Sequence, residues 1–134
     1  MNLHRLILAL TLLLFANTAH ADPSDIAAAS RSVVRVVVFS EADPGFPIGH
    51  GSGVVVAPDM ILTNAHVVDE DAFETRITIS IVPSEGGKIY DAEVIDRSPG
   101  NDLALIKLRN GARLTPGAFF AGNVEDGSDV FAIG

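Results

Sequence analysis

The chain has 134 residues, 48% of them hydrophobic and 19% charged, with 9 basic against 17 acidic side chains and no cysteine. That length sets one domain as the prior, and that apolar content excludes a disordered chain. The net charge of −8 excludes the basic footprint of a nucleic-acid binder, and the lack of cysteine excludes a disulfide-stapled scaffold.

Residues 1–21 read as a secretory signal peptide. His4 and Arg5 make a short basic start, "LILALTLLLFA" (6–16) is an apolar run of 11 residues, and Ala19-His20-Ala21 is an A-x-A cleavage site before Asp22. The apolar run is too short to span a bilayer. The expected mature chain has 113 residues, 8 basic and 17 acidic, for a net charge of −9. It is expected to be exported, to a periplasm or the medium, with no stable membrane association after cleavage. Its acidic surface favours solubility and repels anionic membranes.

Residues 22–32 include "SDIAAASRS", a short helix that Ser24 or Asp25 could cap. From there the pattern is β-like. "SVVRVVVFS" (32–40) is rich in β-branched residues. "EADPGFPIGHG" (41–51), with two prolines and three glycines, reads as a loop. "SGVVVA" (52–57) and "MILT" (60–63), joined by Pro58-Asp59, read as a hairpin, and "NAHVVDEDAFE" (64–74) as a break holding one helical turn. "RITISIV" (76–82) alternates, with Ile77, Ile79 and Ile81 on one face. "KIYDAEVID" (88–96) and "DLALIKL" (102–108) are further strands around the loop "RSPGN". Residues 109–128 are irregular and Gly-rich, and "DVFAIG" (129–134) reads as the start of a seventh strand. Six short strands between 32 and 108 predict an all-β fold, a barrel or a sandwich. A long structureless linker is uncommon within one compact domain, so 109–128 reads as a bridge towards a second one.

His66, after the second hairpin strand, and Asp102, opening the sixth, are the candidate catalytic pair. Two distant loops can share one rim of a barrel. A carboxylate that accepts a hydrogen bond from Nδ1–H fixes the imidazole tautomer, frees Nε2 to take a proton, and stabilises the imidazolium that results. The leucines and alanine after Asp102 suggest an apolar setting for it. Each residue alone has an ordinary reading too: a histidine after a strand is often a plain loop residue, and an aspartate after Pro-Gly-Asn a turn residue. Nothing in the spacing supports a metal site, since His50 and His66 are separated by a hairpin and there is no cysteine.

The words "GSGVVVAPDMILTNAHVV" and "NDLALIKL" together resemble the N-terminal barrel of a trypsin-like serine protease, in the style of bacterial Do/HtrA-type and related exported endopeptidases. The resemblance covers roughly residues 30–134. It implies a six-stranded antiparallel barrel, the first of a double-barrel enzyme, with His66 as general base and Asp102 as orienter. It divides the chain into the signal peptide 1–21, the barrel 22–110, and a linker with the start of a second barrel at 111–134. It implies peptide-bond hydrolysis of polypeptide substrates, with no cofactor. The sequence departs from the family: the Gly-Asn/Asp-Ser-Gly-Gly word that carries the nucleophile does not occur, and the oxyanion hole that the resemblance places around that serine is missing with it. None of the nine serines of the mature chain replaces it; Ser52 in "GSG" reads as a close-packing site. The chain alone is therefore expected to be inactive. The alternative is a non-catalytic truncated product or a β-barrel binding module, whereas a lipocalin-like carrier explains neither motif.

Overall fold

The computed structural model describes residues 23–117, 126–128 and 130–133. The expected signal peptide, Phe119, Phe120, Asp129 and Gly134 lie outside the described residues.

The described chain begins with helix α1 (Pro23–Ser30). Ser24 and Asp25 lie inside its first turn rather than at a cap position before it. Ser32 ends this segment: its Oγ donates to Ala29 O at 2.6 Å, and its own carbonyl accepts from Val55 N–H at 2.8 Å.

Six strands follow: β1 (Val33–Ser40), β2 (Pro47–Ala57), β3 (Met60–Thr63), β4 (Ile77–Pro83), β5 (Tyr90–Ser98) and β6 (Leu103–Leu108). They close into an antiparallel barrel in the order β1-β2-β3-β6-β5-β4, the fold that the resemblance implies. Alternation sets which side chains enter the barrel. From β1 these are Val34, Val36 and Val38, from β4 Ile79 and Ile81, and from β6 Ala104, Ile106 and Leu108. Ile61, Ile81 and Ile106 are among the largest side chains wholly removed from water, each contributing roughly 1.5–3 kcal/mol of apolar burial.

Strand β2 begins at Pro47, five residues before the strand expected at 52–57. Residues 41–46 form the expected loop, but over 47–51 the turn-like composition misleads because Gly49 and Gly51 serve space rather than turning. Gly51 pairs with Val36, and a Cβ there would lie 2.6 Å from a methyl of Val67. A Cβ on Gly53 would lie 2.6 Å from Ile61 Cγ2 and 3.1 Å from Val36 Cγ2. These are the close-packing positions. Ser52, between them, has an exposed side chain and faces away from the core. Strand β5 likewise runs on to Ser98, through a bulge between Val94 and Asp96.

Between β3 and β4 the chain caps one end of the barrel. A 3₁₀ turn (Ala65–Val68) buries Val67 and Val68, and helix α2 (Glu70–Phe73) brings Phe73 against the core. After β6 the chain stays on the barrel: Leu114 N–H donates to Pro58 O at 2.7 Å, and Ala112 and Leu114 pack on the core. Residues 130–133 carry no regular structure. The strand expected at 129–134 has no ladder partner for them among the described residues.

Candidate active site

Strands β3 and β6 are neighbours in the ring, and Thr63, the last residue of β3, pairs with Ala104, the second of β6. The residues just beyond β3 therefore meet those just before β6. This register brings His66 to Asp102.

Thr63 anchors the end of β3. It is buried, and its Oγ1 donates to Ser52 O at 2.8 Å. Asn64 follows in an extended conformation (φ −81°, ψ 145°), the geometry of an N-cap. Its side chain does not cap the turn. Instead Nδ2 donates to Asp102 O at 3.0 Å and to Asp102 Oδ2 at 3.2 Å. The turn then places His66 facing outward while Val67 and Val68 enter the core.

Asp102 ends a second 3₁₀ turn (Pro99–Asn101) in the left-handed region (φ 52°, ψ 45°), with its N–H donating to Pro99 O at 3.0 Å. Aspartate is one of the few non-glycine residues that takes this conformation readily. The turn brings the carboxylate back over the end of β3. Oδ1 accepts from His66 N–H at 3.0 Å, and His66 Nδ1 lies 3.0 Å from Oδ1 and 2.8 Å from Oδ2.

The His66 side chain is 71% exposed and that of Asp102 47%. The apolar setting expected for Asp102 is not what forms. Leu103 beside it is itself exposed, and the carboxylate is surrounded by hydrogen-bond donors. The left-handed turn takes its side chain out of the alternation that buries Ala104. The His66 backbone N–H, foremost, and then its Nδ1 hold the Asp102 carboxyl below the usual aspartate range against the opposing effect of desolvation, with a lesser contribution from the Asn64 amide. The carboxylate therefore stays charged at neutral pH and keeps accepting.

With Nδ1 facing a carboxylate, the imidazole carries its proton on Nδ1 and presents the lone pair of Nε2. That arrangement can accept a proton from a hydroxyl brought to its exposed edge and stabilise the cation that forms. Asn64 is the participant that sequence reasoning left without a role. Its polar side chain at the end of an apolar strand, two residues before His66, was the available signal. Among the described residues, no three His, Cys, Asp or Glu side chains gather as a metal would require.

Residues 51–134 match the family described as "Trypsin-like peptidase domain". Serine protease HTRA1 of Xenopus tropicalis is 38% identical over 92 residues, 66% of this chain and 18% of that protein. Periplasmic serine endoprotease DegP of Escherichia coli K12 is 36% identical over 67 residues, 48% of this chain and 13% of that protein. A serine protease of Mycobacterium tuberculosis is 31% identical over 109 residues, 81% of this chain and 25% of that protein. The chain thus spans a quarter or less of the length of these relatives. Its family match begins inside β2 and runs through both halves of the His66–Asp102 contact, on a barrel that closes as the resemblance implies: the chain belongs to the trypsin-like peptidase family.

Proposed function

We propose that this chain is the first-barrel part of an exported trypsin-like serine endopeptidase, with His66 as general base and Asp102 as its orienter. The observation that carries this reading is the double grip of the Asp102 carboxylate, on His66 N–H at 3.0 Å and on His66 Nδ1 at 2.8 Å. It fixes both the backbone and the ring of one residue. The nucleophilic serine and the oxyanion donors are assigned to residues outside these 134, in a second barrel. Export rests on the expected signal peptide and on the periplasmic name of one relative.

In the proposed reaction the serine hydroxyl hydrogen-bonds to Nε2 of His66. As its oxygen attacks the scissile carbonyl carbon, the proton passes to Nε2 and Asp102 stabilises the imidazolium. The tetrahedral intermediate collapses as the C–N bond breaks, and His66 returns the proton to the leaving amine. Water, deprotonated by the same Nε2, hydrolyses the acyl-enzyme. The substrate class is polypeptide.

The test uses the complete product of the gene. An in-frame Gly-x-Ser-Gly-Gly word after Gly134 supports the reading, whereas a stop codon directly after Gly134 favours a non-catalytic barrel. His66→Ala and Asp102→Asn should each lower casein hydrolysis by about 10⁴-fold or more, and His66→Ala should abolish labelling of the serine by a fluorophosphonate. The 134-residue chain alone should not hydrolyse casein. Hydrolysis by it that His66→Ala abolishes would put the nucleophile inside this chain and overturn the reading.

A further inference from the structure

The His66 turn and the Asp102 turn are both irregular, and neither lies within a strand ladder. Beyond the contacts that His66 and Asn64 make with Asp102, an ion pair joins the residues that flank the two turns. Asp69 is the C-cap of the turn that carries His66 and the N-cap of α2, where its Oδ1 accepts from Asp71 N–H at 3.2 Å. Arg97 lies near the end of β5, just ahead of the turn that delivers Asp102, and pairs with Ala104 of β6. Its Nη2 is 2.9 Å from Asp69 Oδ1.

Resting on the reading above, we infer that Asp69 and Arg97 are a positioning pair: they hold the His66 turn against the Asp102 turn and so keep the imidazole within reach of its carboxylate. Three observations support this. The pair joins the segments that carry the base and its orienter, three residues after one and five before the other. It is shorter and less exposed than the other acid–base contacts of the barrel, Arg109–Glu93 at 3.2 Å and Lys107–Asp59 at 3.7 Å, which lie at the opposite end of β6. It is also poorly built for stability alone. Arg97 Nε is buried with no hydrogen-bond partner among the described residues, and leaving a buried donor unpaired opposes folding, while an ion pair this open to solvent returns little. What the arginine secures is the relative position of two turns. Arg97 bonds also act on Asp69, whose carboxyl they hold below the usual aspartate range, so the pair persists at neutral pH.

The experiment follows the Asp102 carboxyl carbon by ¹³C NMR titration in the 134-residue chain, assigned as the signal that Asp102→Asn removes. In the wild type it should titrate below the ordinary aspartate range. His66→Ala should raise it part of the way, because the backbone N–H remains. If it does not move, the His66–Asp102 reading itself fails. Where it does move, Arg97→Met and Asp69→Ala should each raise it as well, and the double variant should be no worse than either single one. Arg97→Lys should restore most of the wild-type value. Asp69→Ala separates positioning from plain charge: through space, deleting an anion lowers the Asp102 value, whereas freeing the turn raises it. An unchanged titration in Arg97→Met, or a lowered one in Asp69→Ala, overturns the positioning role and leaves the His66–Asp102 pair standing. Amide spectra confirm that each variant is folded. Should Arg97→Met not fold, Asp69→Ala and Arg97→Lys decide the matter by the same signal.

Discussion

The interior of the barrel and its rim are built on the same strands by opposite means. Inside, Val36, Val38, Ile61, Ile81 and Ile106 are fully buried and are held by packing alone, without direction or charge. At the rim, His66 and Asp102 face water and are held by directional hydrogen bonds and one left-handed turn. The core ignores pH and tolerates little change of volume. The rim tolerates water and depends on a charged carboxylate. Stability and site geometry should therefore be separable, and three substitutions probe where that separation holds.

Ile106→Ala should have the largest effect. It empties a fully buried position on the strand that follows Asp102, at a cost of about 2–5 kcal/mol, read as a fall in the denaturant midpoint. In the molecules that remain folded, Asp102 should still titrate below the usual range. If that depression disappears, core and rim are not separable. Gly53→Ala comes next. The new Cβ would lie 2.6 Å from Ile61 Cγ2 and near Val34 and Val36, so overpacking should cost about 1–3 kcal/mol. An unchanged midpoint would show that the wall of the barrel yields at β2.

Asp102→Asn should have the smallest effect on stability at neutral pH, leaving the denaturant midpoint close to that of the wild type, because the residue is half-exposed. Its signature lies in acid. The folded state lowers the Asp102 carboxyl, so the stabilisation it contributes is present above the ordinary aspartate value of about 3.9 and is lost as pH falls through the lower folded value. The variant should therefore flatten part of the acid limb of the stability curve below about pH 4. Asp69, also lowered, keeps a part of it. An acid limb identical to the wild type would remove Asp102 from the account of acid sensitivity.

The legibility of the sequence follows the same division. Strand β4 is readable because Ile77, Ile79 and Ile81 alternate on their own segment, and alternation is local. The first half of β2 is not, because Pro47, Gly49 and Gly51 look locally like a turn. What makes them strand is the β1 ladder, with Val67 and Phe73 occupying the space that side chains would need. At the site, His66 and Asp102 emerge from their flanking words. The partners of Asn64 and Asp69 lie in distant segments that only the ring topology brings near. The setting of Asp102 is illegible for a related reason: its apolar sequence neighbours obey the strand period, and a left-handed residue does not.

The His66–Asp102 contact joins residues 36 positions apart, and between them lie α2, β4 and β5, the hairpin that completes the ring. Closing so long a span is costly in chain entropy. The imidazole thus gains its carboxylate partner only once β6 has joined β3. A chain still emerging or half-assembled carries His66 without its contact to Asp102, so the geometry of the rim depends on the strand pairing beside it.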